Sequence, residues 1–67
     1  MARWVYIDID EILKETDKAF LVRIADEEIW LPFSQLADPD DYSEGDMDLE
    51  DVAITEWIAR EKELDFS

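Results

Sequence analysis

A single small apolar core has to hold this chain together, because the sequence has neither a cysteine for a disulfide nor a histidine for the usual zinc sites. A domain of this length buries only about 60% of the surface that its unfolded chain exposes. The apolar material is nevertheless present, since 48% of the 67 residues are hydrophobic. Disorder requires low hydrophobicity as well as high charge, so we expect residues 1–67 to fold as one domain.

Alternating residues predict a small antiparallel sheet. Apolar and polar side chains alternate over residues 4–10 and again over Ala19–Ile24. A third strand, Ile29–Leu31, ends at Pro32, which has no N–H for a ladder. The short acidic connection between the second and third strands indicates a β-hairpin.

A helix is predicted near the end of the chain, over Thr55–Leu64. Thr55 is a good N-cap, and Glu56 and Arg60 have the spacing of a favourable i,i+4 ion pair. Val52–Ile54, just before it, fits either a short last strand or a lead-in to the helix. The predicted fold class is therefore α+β: a small antiparallel sheet of three or four strands with one C-terminal helix packed on it.

The expected core draws on every predicted element. Its members are Val5, Ile7, Phe20, Val22, Ile24, Leu31, Ile54 and Ile58. We also expect so small a core to use all three tryptophans, Trp4, Trp30 and Trp57. Trp30 lies on the opposite strand face from Ile29 and Leu31, so it is either covered by the helix or exposed as a contact.

Charge is the strongest functional signal in the sequence. Twenty Asp and Glu against six Lys and Arg give a formal net charge of −14. Such a charge repels nucleic acid and anionic membranes and favours basic partners. No apolar run approaches the ~20 residues of a membrane span, and the first residues carry no signal-peptide cleavage pattern. We therefore expect a cytoplasmic location.

The acids are densest over residues 38–51, the acidic segment, which contains eight of them and no base. No lysine or arginine occurs between Arg23 and Arg60. Pro39 and Gly45 mark turns, so the acidic segment is predicted to be an exposed loop. The candidate partner-binding residues are Asp38, Asp40, Asp41, Tyr42, Glu44, Asp46, Asp48, Glu50 and Asp51.

Catalysis and metal binding find little support in these residues. There is no histidine or cysteine, and a catalytic carboxylate pair needs a cleft that so short a chain rarely forms. A calcium-loop frame beginning at Asp40 places Tyr42 at its third position, where a chelating side chain is required. We expect no enzyme activity, no cofactor and no specific metal site.

Two interpretations of the acids remain. They form a solvated surface that only confers solubility, or they imitate nucleic acid. The first is usual for a charge run, but small soluble domains typically carry net charges of only about 2–8. Alternate strand residues lie about 6.6 Å apart, so Asp46, Asp48 and Glu50 can set carboxylates at phosphate-like intervals. Tyr42 either anchors a partner or packs the segment onto the core.

Two stretches, Glu28–Leu36 and Ile54–Ala59, resemble short proteins of phages and mobile elements, over about residues 18–64. This small acidic type is also similar to anti-CRISPR proteins that act as DNA mimics against type I complexes. The resemblance implies a stoichiometric inhibitor in the bacterial host cell. Its partner would be a basic nucleic-acid-binding protein, such as a subunit of a CRISPR effector complex. The alternatives are an accessory phage protein or an acidic cation-binding module whose acidity mainly confers solubility.

Overall fold

The computed structural model describes residues 3–67, and Met1 and Ala2 of the predicted domain lie outside the described residues. The strands and helix are β1 (Trp4–Glu15), β2 (Ala19–Ile24), β3 (Glu27–Pro32), β4 (Met47–Thr55) and α1 (Glu56–Glu61). All strand pairs are antiparallel and their order in the sheet is β3-β2-β1-β4. The predicted α+β fold, with one C-terminal helix, is confirmed.

A two-residue turn joins β2 to β3. Ala25 and Asp26 have φ values of 50° and 67°, so both lie in the left-handed region. Two such residues form the turn whose twist matches that of the flanking strands. The tight turn places Glu27 opposite Ile24 in the ladder. For this reason β3 begins two residues before the predicted strand.

β1 continues to Glu15, well beyond the predicted residues 4–10, and it carries two irregularities. The ladder with β4 shifts between Ile7 and Ile9, where Glu50 and Asp51 face only Asp8. The ladder with β2 shifts between Ile12 and Lys14. Bulges of this kind bend a strand and increase its twist. β1 can therefore pair with β4 along most of its length and with β2 only near its end.

The prediction of a loop over the whole acidic segment is wrong. Its second part, from Met47, belongs to β4, and its first part contains a 3₁₀ turn at Pro39–Asp41. The ladder with β1 starts before the strand itself, because the Ile12 N–H donates to the Asp46 carbonyl at 2.8 Å. Gly45 makes the approach possible with a φ of 94°, which few other residues adopt.

The core lies on one face of the sheet. Of the predicted core residues, only Ile24 is half-buried, at the rim; the others are buried. Residues 33–37 link the two edges of the sheet: Phe33 packs on Phe20 with ring centroids 4.7 Å apart, and Leu36 bridges to Ile54. These residues, together with α1, cover the apolar face.

The expectation that all three tryptophans enter the core is wrong. Trp4 and Trp30 are each 43% exposed, and Trp57 is 61% exposed. The physical reason is that one short helix and one crossing segment cover only one face of the sheet. Trp4 and Trp30 point from the uncovered face, so Trp30 is exposed and is not covered by the helix.

α1 is shorter than predicted, although its start is as expected. The Thr55 hydroxyl oxygen accepts a hydrogen bond from the Ile58 N–H, and Arg60 lies 3.2 Å from Glu56. The helix ends at Glu61 because Glu63 takes a left-handed φ of 56° and the Leu64 N–H bonds back to the Ala59 carbonyl. Within residues 3–67 no helix has the length and apolar character needed to cross a membrane.

Candidate functional site

The predicted contact residues fall into parts of the acidic segment that differ in structure. Asp40 and Asp41 lie in the 3₁₀ turn, which Asp38 precedes. Glu44 and Asp46 belong to the link that leads into β4, and Asp48, Glu50 and Asp51 are strand residues. All of these carboxylates except Asp46 are exposed.

Two of the carboxylates fasten the segment to the sheet. Glu44 and Glu15 exchange bonds: the Glu15 N–H donates to Oε1 of Glu44 at 2.9 Å, and the Glu44 N–H donates to Oε1 of Glu15 at 3.2 Å. Asp46 Oδ2 accepts a hydrogen bond from the Ser43 N–H at 2.9 Å. Glu44 and Asp46 therefore have a structural role that is independent of any partner.

Backbone conformation explains two further acids. Asp48 and Asp51 have φ values of 53° and 54°. Among residues with a side chain, Asp and Asn tolerate this left-handed region best. Asp40, Asp41 and Glu50 have neither this backbone conformation nor a side-chain hydrogen bond within the described chain.

Tyr42 packs the acidic segment against the core. Its ring is half-buried among the residues that flank the apolar cluster. Burial, followed by the negative charges of Asp41 and Asp38, raises the pKa of the Tyr42 phenol above its ordinary value. The packing role is therefore the one that its surroundings support, and less of its ring is free to anchor a partner.

A second set of carboxylates converges on a groove that the sequence did not indicate. An open depression of about 360 Å³ lies between β1, the turn after β2 and the residues that follow α1. A smaller depression of about 240 Å³ adjoins it and shares Asp8 and Asp65 as lining residues. We call the two together the acidic groove. Its carboxylates are those of Asp8, Asp10, Glu27, Asp51, Glu63 and Asp65.

Backbone hydrogen bonds hold two of the groove carboxylates in place. Asp8 Oδ1 accepts from the Asp51 N–H at 3.2 Å, across the bulge between β1 and β4. Asp10 Oδ2 accepts from the Ala25 N–H at 3.1 Å, at the turn after β2. Each carboxylate keeps a further oxygen for another donor. The groove is thus partly preorganised for a cationic group.

Basic side chains are absent from both acidic surfaces. No lysine or arginine lines the groove, and none lies within the acidic segment. In residues 3–67 only Glu11 and Glu56 form ion pairs, with Arg23 in the first case and with Arg3 and Arg60 in the second. The other carboxylates of the described chain form no ion pair.

The carboxylates are not confined to one side of the molecule. Acids occur on β1, around the turn after β2, in the acidic segment, on β4 and after α1. The basic residues are unevenly placed, in the hairpin of β1 and β2 and around α1. What distinguishes the groove and the acidic segment is that several carboxylates lie together there with no lysine or arginine among them.

The chemistry open to these surfaces is the binding of positive charge. No group of three or more possible ligand side chains in residues 3–67 is arranged to hold a metal ion. No buried side-chain polar atom of the same residues lacks a hydrogen-bond partner. The side chains of the groove offer hydrogen-bond acceptors to an ammonium or guanidinium group.

The groove acids were missed by the sequence because they come from distant parts of the chain. The alternation over residues 4–10 did place Asp8 and Asp10 on the polar face of the first strand. Nothing local indicates that Glu27 and Asp65 lie beside them. A run of acids is visible in a sequence, but a convergence of single acids is not.

Comparisons of this chain with protein-family models, with curated proteins and with solved structures each gave no match.

Proposed function

We propose that this protein is a stoichiometric inhibitor that mimics the charge of nucleic acid and blocks a DNA-binding bacterial defence complex. The observation that carries the proposal is that the carboxylates of the acidic segment and the acidic groove form no ion pair and have no lysine or arginine among them. Unpaired carboxylates on a folded surface are available to the lysines and arginines of a partner. Complementary charge also speeds the encounter with such a partner.

A nucleic-acid-binding protein is the partner class that fits best. Duplex DNA carries one negative charge per ~1.7 Å of axis, and its binders meet that density with Lys and Arg. This chain has a net charge of −14 on a body whose longest extent is 30 Å. A compact object with that charge can occupy a basic groove without offering bases to be read.

The fixed positions of the acids support mimicry over simple charge attraction. Asp48, Glu50 and Asp51 are carried by β4, which is paired with β1, and Asp8 and Asp10 accept backbone hydrogen bonds. Ordering these groups before binding lowers the entropy that association costs. The choice of a defence complex as target rests on the resemblance to anti-CRISPR proteins, and binding in this proposal requires no catalysis and no cofactor.

The test compares two variants with the same change in charge. The first neutralises unbonded acids of the acidic segment: Asp40→Asn, Asp41→Asn, Asp48→Asn and Glu50→Gln. The control neutralises exposed acids elsewhere: Asp17→Asn, Asp26→Asn, Glu28→Gln and Glu61→Gln. Both keep the acids that hold the segment in place, so both should fold.

We expect the first variant to lose competition with DNA for a purified type I CRISPR complex and the control to keep most of it. A third variant, Glu27→Gln, Glu63→Gln and Asp65→Asn, measures how much the acidic groove contributes to competition with DNA. Equal loss of competition in the first variant and the control would mean that the partner responds to the net charge and not to a particular site. No loss in any variant would mean that the acids serve solubility, as in the accessory-protein alternative.

A further inference from the structure

The uncovered face of β1 carries two large aromatic rings, of which Tyr6 lines the acidic groove and Trp4 is its neighbour on the same strand face. Trp4 and Tyr6 are alternate residues of the strand, and they are 43% and 47% exposed. Val5 and Ile7 point the other way and are buried in the core. Exposed large apolar side chains are more informative than buried ones, because a soluble domain gains no stability from leaving them in water.

The rings and the carboxylates form one continuous surface. Tyr6 lines the smaller depression of the groove together with Asp8, Asp51 and Asp65. Along the same strand face, Trp4 and Tyr6 are followed by Asp8 and Asp10. No lysine or arginine lines either depression. Arg3 precedes Trp4 in the chain, and its Nη1 lies 3.8 Å from Oε2 of Glu56.

The position of Tyr6 is fixed by its backbone. Its N–H donates to the Ser67 carbonyl at 2.9 Å, and its carbonyl accepts from the Ser67 N–H at 3.0 Å. On its other side β1 pairs with β4, where Tyr6 lies opposite Ala53. The small Ala53 side chain leaves the ring face open. A ring on a strand bonded along both edges is a rigid platform.

We propose that Trp4, Tyr6 and the adjoining groove carboxylates bind arginine side chains of an extended segment of the partner. A guanidinium stacks on an aromatic face and at the same time donates to a carboxylate, which lysine does less well. The charge of the groove selects this occupant, because it attracts a basic peptide and repels the phosphates of nucleic acid. The proposal rests on the proposed function, for which it names the recognised group.

The test uses a labelled Gly/Ser peptide with alternating arginines, and the same peptide with citrulline as its neutral isostere. Trp4→Thr and Tyr6→Thr remove the rings and keep residues that favour strands. Trp30→Thr is the matched control, since Trp30 is also 43% exposed but lies on β3 and not on the strand that carries Tyr6, Asp8 and Asp10. Trp4→Leu and Tyr6→Leu keep apolar bulk without a ring, in case the threonine variants fold poorly.

We expect the arginine peptide to bind and the citrulline peptide not to bind, by fluorescence anisotropy at low salt. Loss of either ring should lower the affinity for the arginine peptide about three- to tenfold, as expected for a partly desolvated cation–π contact. The Trp30 variant should bind like the parent. Equal binding of the two peptides, or equal loss in the Trp30 variant, would overturn the proposal.

The same variants separate this proposal from the function on which it rests. If the Trp4→Leu and Tyr6→Leu variants still compete with DNA, the proposed arginine site is wrong and the proposed inhibitor function stands. If the peptide binds in a ring-dependent way but the parent protein does not compete with DNA for the type I complex, the arginine site stands. The proposed inhibitor function is then wrong.

Discussion

The two faces of the sheet differ in the residues that they use. The covered face is aliphatic apart from Phe20, with side chains such as Val22, Leu31 and Ile54 almost fully buried. The uncovered face carries the larger rings of Trp4, Tyr6 and Trp30 beside carboxylates. Branched aliphatic side chains fill the thin layer beneath a six-residue helix. An indole placed there would need a deeper core.

The difference indicates that one face of the sheet supplies the stability of this small domain and leaves the other face available for binding. A chain of this length can bury one sheet face and not both. Stability should therefore depend on the covered face, whereas the uncovered face can change its composition at little cost. The uncovered face combines exposed aromatic rings with carboxylates, and it is the face on which we propose that a partner binds.

The largest expected effect tests that separation directly. Phe20 is buried and packs on Phe33, so Phe20→Ala should lower the free energy of unfolding by about 3–5 kcal/mol. Trp30→Ala removes a larger ring from the uncovered face and should cost about 1 kcal/mol or less. Urea unfolding followed by circular dichroism measures both. Similar losses would break the comparison of the two faces.

A smaller effect is expected where α1 joins the covered face. Thr55 is buried, accepts from the Ile58 N–H and donates to Gln35 Oε1 at 2.6 Å. Thr55→Ala removes both bonds and should lower stability by about 1–2 kcal/mol. Thr55→Ser keeps both and is the control. Hydrogen exchange should show the loss first in α1, and a protected helix in the Ala variant would contradict the capping role.

The smallest effect concerns Tyr42, at the border between core and acids. Because the pKa of its phenol is raised in the folded chain, the unfolded chain loses the proton first as pH rises. The contribution of Tyr42 to stability is complete below its ordinary pKa of about 10 and falls as pH rises through the folded value. Tyr42→Phe should flatten this alkaline decline in urea unfolding. An unchanged decline would mean that Tyr42 ionises equally in both states.

Local patterns in the sequence were enough for the general fold. Alternation located β2 with its observed bounds, Ala19–Ile24, and the Thr55 cap fixed the start of α1. The Glu56–Arg60 pair and most of the core also followed from spacing, because strand and helix periods decide which side chains share a face. These features depend on residues that are close together in the chain, so the sequence alone was enough to predict them.

The remaining features depend on contacts between distant residues. Met47–Asp51 was predicted to be part of a loop, yet it forms a strand because β1 offers it an unpaired edge. Whether a tryptophan is buried depends on which sheet face the helix covers. The groove exists because the chain folds Asp8, Glu27 and Asp65 together. The sequence thus determined the strand and helix patterns and the strong negative charge. The tertiary structure decided which rings and carboxylates meet on one surface, because those contacts require the strand ladders and the packing of the whole chain.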